Sequence, residues 1–293
     1  MFLVTGATGG LGRRIVRLLR EREQPVRSFV RLMSRYGELE HRGAEIFIGD
    51  LRQERDIQKA CQGVRYVISA HGSTAGDRNG AEAIDYRANV DLIDAAKAAG
   101  VEHFVFISVL GADRGYEDAP TFKAKWAVEQ YLRSSGLTYT ILRPSGFASN
   151  LIPLAEQFSQ TGVYLLIGDP QSRTSIVSTD DLARIAIDSI QFAPNETLAI
   201  GGPEILERRE IPQIFGRIFQ REPIVVNPPL AVLDGVRTLS GFVSPTTQKA
   251  LGTLRTLLAN EFYVKPAEVD RLEAQFRFEL ETLEGFLRRY VST

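Results

Sequence analysis

The chain is poor in the residues that announce cross-linking, metal chemistry or a charged partner. Its 293 residues include one cysteine, Cys61, which excludes an internal disulfide framework and fits a reducing compartment. Its three histidines, His41, His71 and His103, stand far apart and lack metal-ligand spacing, so no metal is expected. Neither sign of charge prevails: 35 Lys and Arg against 36 Asp and Glu give a net charge of −1. That balance provides no basic field for nucleic acid or an anionic bilayer. No apolar run reaches the ~18 residues of a membrane-spanning helix. Met1-Phe2-Leu3-Val4 runs straight into a glycine turn, which leaves no room for a basic region and apolar stretch of the signal-peptide kind. The expected location is therefore cytoplasmic, with peripheral contact to a membrane left open. Repeats and low-complexity segments are also missing.

What remains is an ordinary globular balance, 44% hydrophobic and 24% charged. Short apolar runs alternate with helical patterns. Strands are expected at Phe2–Thr5, Val26–Val30, Ala44–Ile48, Tyr66–Ser69, Phe104–Ser108 and Thr138–Leu142. Helices are expected at Leu11–Arg22, Asp56–Cys61, Ala83–Ala99 and Phe122–Ser134, the last two stopped by Gly100 and Gly136. A glycine-rich turn should follow the fourth strand. Such alternation predicts a parallel sheet covered on both faces, wound right-handedly in the order 3-2-1-4-5-6, with a seventh strand at Thr197–Ile200. The fold class is therefore α/β: a doubly wound Rossmann sheet over residues 1–200, with a smaller, mainly helical lobe over 201–293. Part of 150–175 is expected to join that lobe, which would pack over the strand ends. Its helices are expected at Arg209–Phe219, Leu230–Leu239 and, as one long charged helix, Pro266–Tyr290.

The glycine turn carries the first chemistry. Gly6-Ala7-Thr8-Gly9-Gly10-Leu11-Gly12 follows a strand directly and opens a helix, the setting that a dinucleotide fingerprint requires. Gly6 permits the tight turn, Gly9 lets the backbone approach a pyrophosphate, and Gly12 allows close helix–strand packing. The helix N-terminus then presents free N–H groups to phosphate. An acid about 20 residues further on would bind the ribose hydroxyl of NAD. The second strand ends instead in Phe29-Val30-Arg31. Arg31 sits where the 2′-phosphate of NADP would lie, and Arg13 and Arg35 would add charge-assisted contacts. The expected cofactor is NADP(H).

The G-x-x-G-x-x-G spacing resembles the extended and atypical short-chain dehydrogenase/reductases. Gly49-Asp50-Leu51, at the end of the third strand, is similar to the segment that contacts adenine in that group. The stretch from Asn89 through Gly100-Val101 to Ser108 fits its pattern. Lys125-Trp126-Ala127-Val128-Glu129, Leu142-Arg143-Pro144 and Val177-Ser178-Thr179-Asp180-Asp181-Leu182-Ala183 resemble the NmrA-like branch. The resemblance covers roughly Met1 to Pro203 well and the remainder loosely. It implies cofactor contacts at Thr8, Gly10, Leu11, Asp50, Leu51, Ser69, Ala70 and Lys125. It also implies that Pro144, Ser145, Gly146 and Phe147 lie beside the nicotinamide.

The same resemblance implies a Ser-Tyr-Lys mechanism, with Tyr and Lys four apart on one helix. Lys125 and Ser108 match two of these positions and are the candidate catalytic residues. The residue four before Lys125 is Thr121, whose pKa is far too high for a tyrosine's acid role. Tyr116, on the preceding loop, is a loose candidate for the missing acid. His71 is read as structural. Two functions are implied. One is NADPH-dependent reduction of a bulky apolar quinone or enone. The other is a non-enzymatic cofactor-binding assembly factor or redox sensor, as in the Ycf39-like proteins of photosynthetic organisms, which this chain also resembles. The partner would accordingly be a small apolar molecule or a protein, and not nucleic acid.

Overall fold

The computed structural model describes residues 1–73, 80–241 and 244–291. The chain forms two compact units. The first comprises residues 1–115, 120–143 and 179–198, and the second residues 116–119, 144–178 and 199–293.

The alternation read from the sequence is realised as β1 (Phe2–Thr5), α1 (Gly10–Glu21), β2 (Val26–Val30), α2 (Gly37–His41), β3 (Glu45–Ile48), α3 (Glu54–Cys61) and β4 (Tyr66–Ser69). There follow a π-helical turn (Ala81–Arg87), α4 (Ala88–Ala98), β5 (His103–Ile107), α5 (Pro120–Ser134) and β6 (Tyr139–Pro144). A 3-10 turn (Ala148–Leu151), α6 (Ile152–Thr161), β7 (Val163–Leu165), β8 (Arg173–Thr174), α7 (Thr179–Phe192) and β9 (Glu196–Ile200) come next. The chain continues through β10 (Leu206–Glu207), α8 (Glu210–Phe219), β11 (Ile224–Val226), α9 (Leu230–Gly241), α10 (Pro245–Ala259), α11 (Pro266–Phe276) and α12 (Leu283–Val291).

Seven strands form one sheet in the order β3-β2-β1-β4-β5-β6-β9, as expected, with β9 as the seventh. β1 lies at the switch point: Phe2 stands opposite both Val26 and Tyr66 in parallel register. All four β1 residues are buried, which is why the strand opens on the apolar run Phe2-Leu3-Val4. Leu3, Val67, Phe104, Phe106 and Ile141 pack with α3, α4 and α5 residues into one core. Gly100 and Gly136 have φ of +72° and +83°, the left-handed conformation that ends a helix. The expected glycine-rich turn after β4 runs into residues 74–79, which lie outside the described residues.

The Asp180-Asp181-Leu182-Ala183 string opens α7. Asp180 accepts from Arg17 Nη2 at 2.9 Å and lies 3.1 Å from Arg14 Nε, tying α7 to the helix that follows the glycine turn.

The second unit has its own core around Phe158, Tyr164, Phe215, Phe286 and Leu287. Its short sheets pair β10 with β8 antiparallel and β11 with β7 parallel. The expectation of one long helix over Pro266–Tyr290 is overturned. Arg277 adopts φ +60° and its N–H caps the Glu273 carbonyl, so α11 stops there. Leu280 N–H then donates to Glu273 Oε1 at 2.8 Å, and Leu280 and Leu283 are buried across the break. The charged residues on either side mask these apolar anchors in a simple periodicity.

Candidate functional site

The glycine turn is fixed by backbone crowding. A Cβ on Gly6, whose φ is +68°, would come within 2.6 Å of the Ala70 carbonyl oxygen. One on Gly12 would come within 2.1 Å of the Gly6 carbonyl oxygen. Gly9 differs: its Cβ would meet only the Gly6 oxygen, at 3.2 Å, and both Gly9 and Gly10 are exposed. Gly9 caps α1 without a side-chain hydrogen bond, and no acid stands in the helix's first turn. The first N–H groups of α1 are thus left for an anion, while Leu11 and Gly12 turn inward. These observations fit a pyrophosphate.

Beside the turn lies an open groove of about 850 Å³. It brings together five expected residues, Thr8, Arg13, Arg31, Arg35 and Asp50, with Arg52 as a fourth arginine. Arg13 acts as a strut here. Its guanidinium donates to the Thr8 carbonyl at 2.8 Å and the Arg35 carbonyl at 3.0 Å, and it reaches Glu38 at 3.4 Å. It therefore holds the loop that carries Arg31 and Arg35. Asp50 is engaged by Arg52, whose hydrogen bond holds its carboxyl below the usual carboxylate range. Asp56 is engaged too, by the Asp50 N–H at 3.0 Å. Leu32 and Met33, 68% and 92% exposed, and Ile48 give the groove an apolar wall. Leu51 points away from it, into the core.

Ser69 is buried and donates to Asn89 Oδ1 at 2.6 Å, which leaves Ala70 as the more accessible of the pair. His71 sits beneath the glycine turn with Nδ1 2.8 Å from Thr5 Oγ1. Burial, reinforced by the nearby Lys125 charge, pushes its imidazole down to about 3, so it is neutral at physiological pH. Cys61 is buried and its thiol is pushed up to about 12, which leaves it inert.

The end of β5 is the second cluster. Lys125 projects from α5 and donates from Nζ to the Ile107 carbonyl at 2.7 Å, with Nζ 5.1 Å from the Phe106 ring centroid. Desolvation lowers its ammonium pKa, while Asp85 and Glu129 pull in the opposite direction. Ser108, 3% exposed, donates its hydroxyl proton to Glu129 Oε1 at 2.5 Å. That proton is committed, and the serine can only accept from a ligand. Thr121 is partly buried on the first turn of α5. Tyr116 belongs to the second unit, where its ring lies 6.1 Å from that of Phe262.

Pro144, Ser145, Gly146 and Phe147 also fall in the second unit. Ser145 N–H donates to the Ile200 carbonyl at 2.9 Å and its hydroxyl donates to the Ser175 carbonyl. Val177 N–H donates to the Gly146 carbonyl at 3.0 Å. The segment is held by its backbone, with Gly146 and Phe147 partly exposed.

Sequence reasoning missed Glu129, Arg143, Asp85 and Arg52 as parts of these clusters. Glu129, one helical turn after Lys125, was legible as sharing its face. The arginine pairing was not. Among the described residues no group of His, Cys, Asp and Glu is arranged to hold a metal. No described helix is long and apolar enough to cross a membrane.

Comparison with known proteins agrees with this geometry. Residues 6–192 match a family model described as NAD(P)H-binding. The chain is 30% identical to the photosystem II assembly factor Ycf39 of Cyanophora paradoxa, over 99% of this chain and 92% of that protein. It is 32% identical to the NAD(P)H azoreductase of Xenophilus azovorans, over 72% and 71%. The fold matches that of an NADPH-dependent quinone oxidoreductase from Escherichia coli, crystallised with NADPH, with a TM-score of 0.75 at 20% identity, over 99% of this chain and 100% of that one. The chain belongs to the NAD(P)H-binding family, with the assembly factor Ycf39 among its relatives.

Proposed function

We propose that the protein is an NADP(H)-dependent reductase of a bulky, apolar acceptor of quinone or enone type. The observation that carries this reading is Lys125, reaching from α5 to the end of β5, partly desolvated and bonded to the Ile107 carbonyl. Bound NADPH supplies a hydride. Lys125 would hold the nicotinamide ribose and set positive charge near the oxygen that gains electrons. No tyrosine precedes it by one turn, and the Ser108 proton is committed to Glu129. The site is thus short of neutral acids. A quinone suits it, because its reduced oxygen takes a proton from water. The four arginines of the groove support the phosphorylated cofactor over NADH. Steady-state NADPH oxidation against quinones, enones and aldehydes tests the proposal. Turnover well above background supports it, and none across the panel defeats it.

A second reading has its own support. Similarity to the Ycf39 assembly factor extends over 99% of the chain, whereas similarity to the azoreductase extends over 72%. On that reading NADP(H) is a structural or redox-sensing ligand and the partner is a protein. Recovery of a defined photosystem subunit that depends on added NADPH, with no turnover of any acceptor, would favour it.

A further inference from the structure

We infer that Glu129 is a positioning residue for Lys125, acting through a two-point grip of α5 on the end of β5. The inference rests on the reading of Lys125 as the group at the nicotinamide ribose. Lys125 and Glu129 are four residues apart, so they rise from one face of α5. Lys125 Nζ donates to the Ile107 carbonyl at 2.7 Å. Glu129 Oε1 accepts the Ser108 hydroxyl at 2.5 Å. The Ile107 carbonyl and the Ser108 nitrogen belong to one peptide unit, and Ser108 N–H donates to the Leu142 carbonyl at 2.7 Å. The plane that receives Lys125 is therefore held on its Ser108 side by both Glu129 and β6.

Glu129 is itself clamped. It is wholly buried, and its carboxylate accepts from Arg143 Nε at 2.9 Å, Arg143 Nη2 at 2.7 Å and Arg133 Nη2 at 3.1 Å. Arg143 continues to Asp113 at 2.6 Å, and Arg133 to Thr197 Oγ1 at 2.9 Å. Both guanidinium groups lie against Trp126, with their carbons 5.4 and 5.6 Å from its ring centroid. A carboxylate stripped of water and given this many donors is fixed in place rather than free to swing toward a ligand. Its outward consequence is at Lys125. Among the described residues, the charged groups acting on that ammonium are Asp85 from the π-helical turn and Glu129 from its own helix, with neutral His71 beyond β4. Asp85 is occupied by Ser73, accepting its N–H at 2.8 Å and its hydroxyl at 2.7 Å. Glu129 thus aims the lysine through the peptide plane and, together with Asp85, favours its charged form.

The test is a pH titration of Lys125 by NMR in the full chain labelled with 13Cε-lysine, with the resonance assigned by its loss in Lys125→Met. Glu129→Gln keeps an oxygen for Ser108 but removes the charge. The Lys125 midpoint should fall by about one pH unit, the low end for loss of a close opposite charge. Should Glu129→Gln not fold, because it strands two arginines, the double variant Glu129→Gln/Arg143→Gln removes both members of the principal buried pair. It removes one charge of each sign, but of the two only Glu129 acts on Lys125, so the midpoint should still fall, by less than in the single variant. A folded variant with the wild-type midpoint overturns the inference. NADPH oxidation, measured alongside, separates the two proposals. A lowered midpoint with no turnover in any form, wild type included, leaves Glu129's role standing and defeats the reductase reading. A lowered midpoint with the alkaline limb of kcat moved down to match supports both.

Discussion

The arginine groove and the end of β5 lie in the same unit and treat charge in opposite ways. In the groove, side chains are long and partly exposed, and their pairs face water. Arg52 and Asp50 are 64% and 33% exposed, and Arg13 and Glu38 are 37% and 50% exposed. Such pairs contribute little to stability. At β5 the Glu129 carboxylate has no exposure and the Arg143 side chain only 13%. Breaking a pair of that kind is expensive, on the order of 3–5 kcal/mol, because the surviving charge stays buried. One region keeps its charges at the water, the other buries them.

Four substitutions or conditions test that contrast. The largest effect is expected at the glycine turn. Gly9→Val fills space that is open on the ligand side, its Cβ having only the Gly6 oxygen nearby at 3.2 Å. Calorimetry should find binding of both NADPH and NADH abolished, with the circular dichroism of the folded chain retained. Unchanged affinity would put the cofactor elsewhere.

Next comes Lys125→Met, which keeps the stem and removes the charge. Turnover should fall roughly 10²-fold or more, a typical loss for one electrostatic or acid–base group. Cofactor affinity should fall far less. Equal loss of both would erase the distinction between a binding groove and a reacting end.

A smaller effect is expected for Arg31→Ala. Loss of one charge-assisted phosphate contact should weaken NADPH by about 1.5–3 kcal/mol in a titration, with NADH nearly unaffected. Equal binding of NADH and NADPH by the unmutated chain would remove the role given to the groove's arginines.

The mildest is a dependence on pH. His103, buried with Nε2 2.9 Å from Thr140 Oγ1, is pushed down to about 4, and His71 to about 3. Unfolded histidine titrates near pH 6.5. As pH falls from about 6.5 toward 4, the unfolded chain gains protons that the folded chain refuses, so stability declines. The thermal midpoint should drop across that window, and His103→Gln should flatten the decline. An unchanged slope in that variant would mean that His103 does not contribute.

Five residues lining the groove, Thr8, Arg13, Arg31, Arg35 and Asp50, were named from the sequence, because each follows a strand or the glycine turn. Arg13 was read as a phosphate ligand from its place after Gly12. Its bonds to Thr8, Arg35 and Glu38 make it a brace for the loop, which a linear reading has no means to see. The β5 end was legible only in part. Ser108 and Lys125 were found by position, yet Ser108's proton goes to a carboxylate 21 residues away.

By itself the sequence determined the parallel sheet, its strand order and the glycine turn. Buried strands need unbroken apolar runs, and a left-handed or crowded backbone needs glycine, so both leave local marks. The break between α11 and α12 and the partners of Glu129 were decided only by the tertiary structure. They depend on which buried groups meet across distant segments, and burial in a low-dielectric interior, which gives those meetings their strength, exists only once the chain has folded.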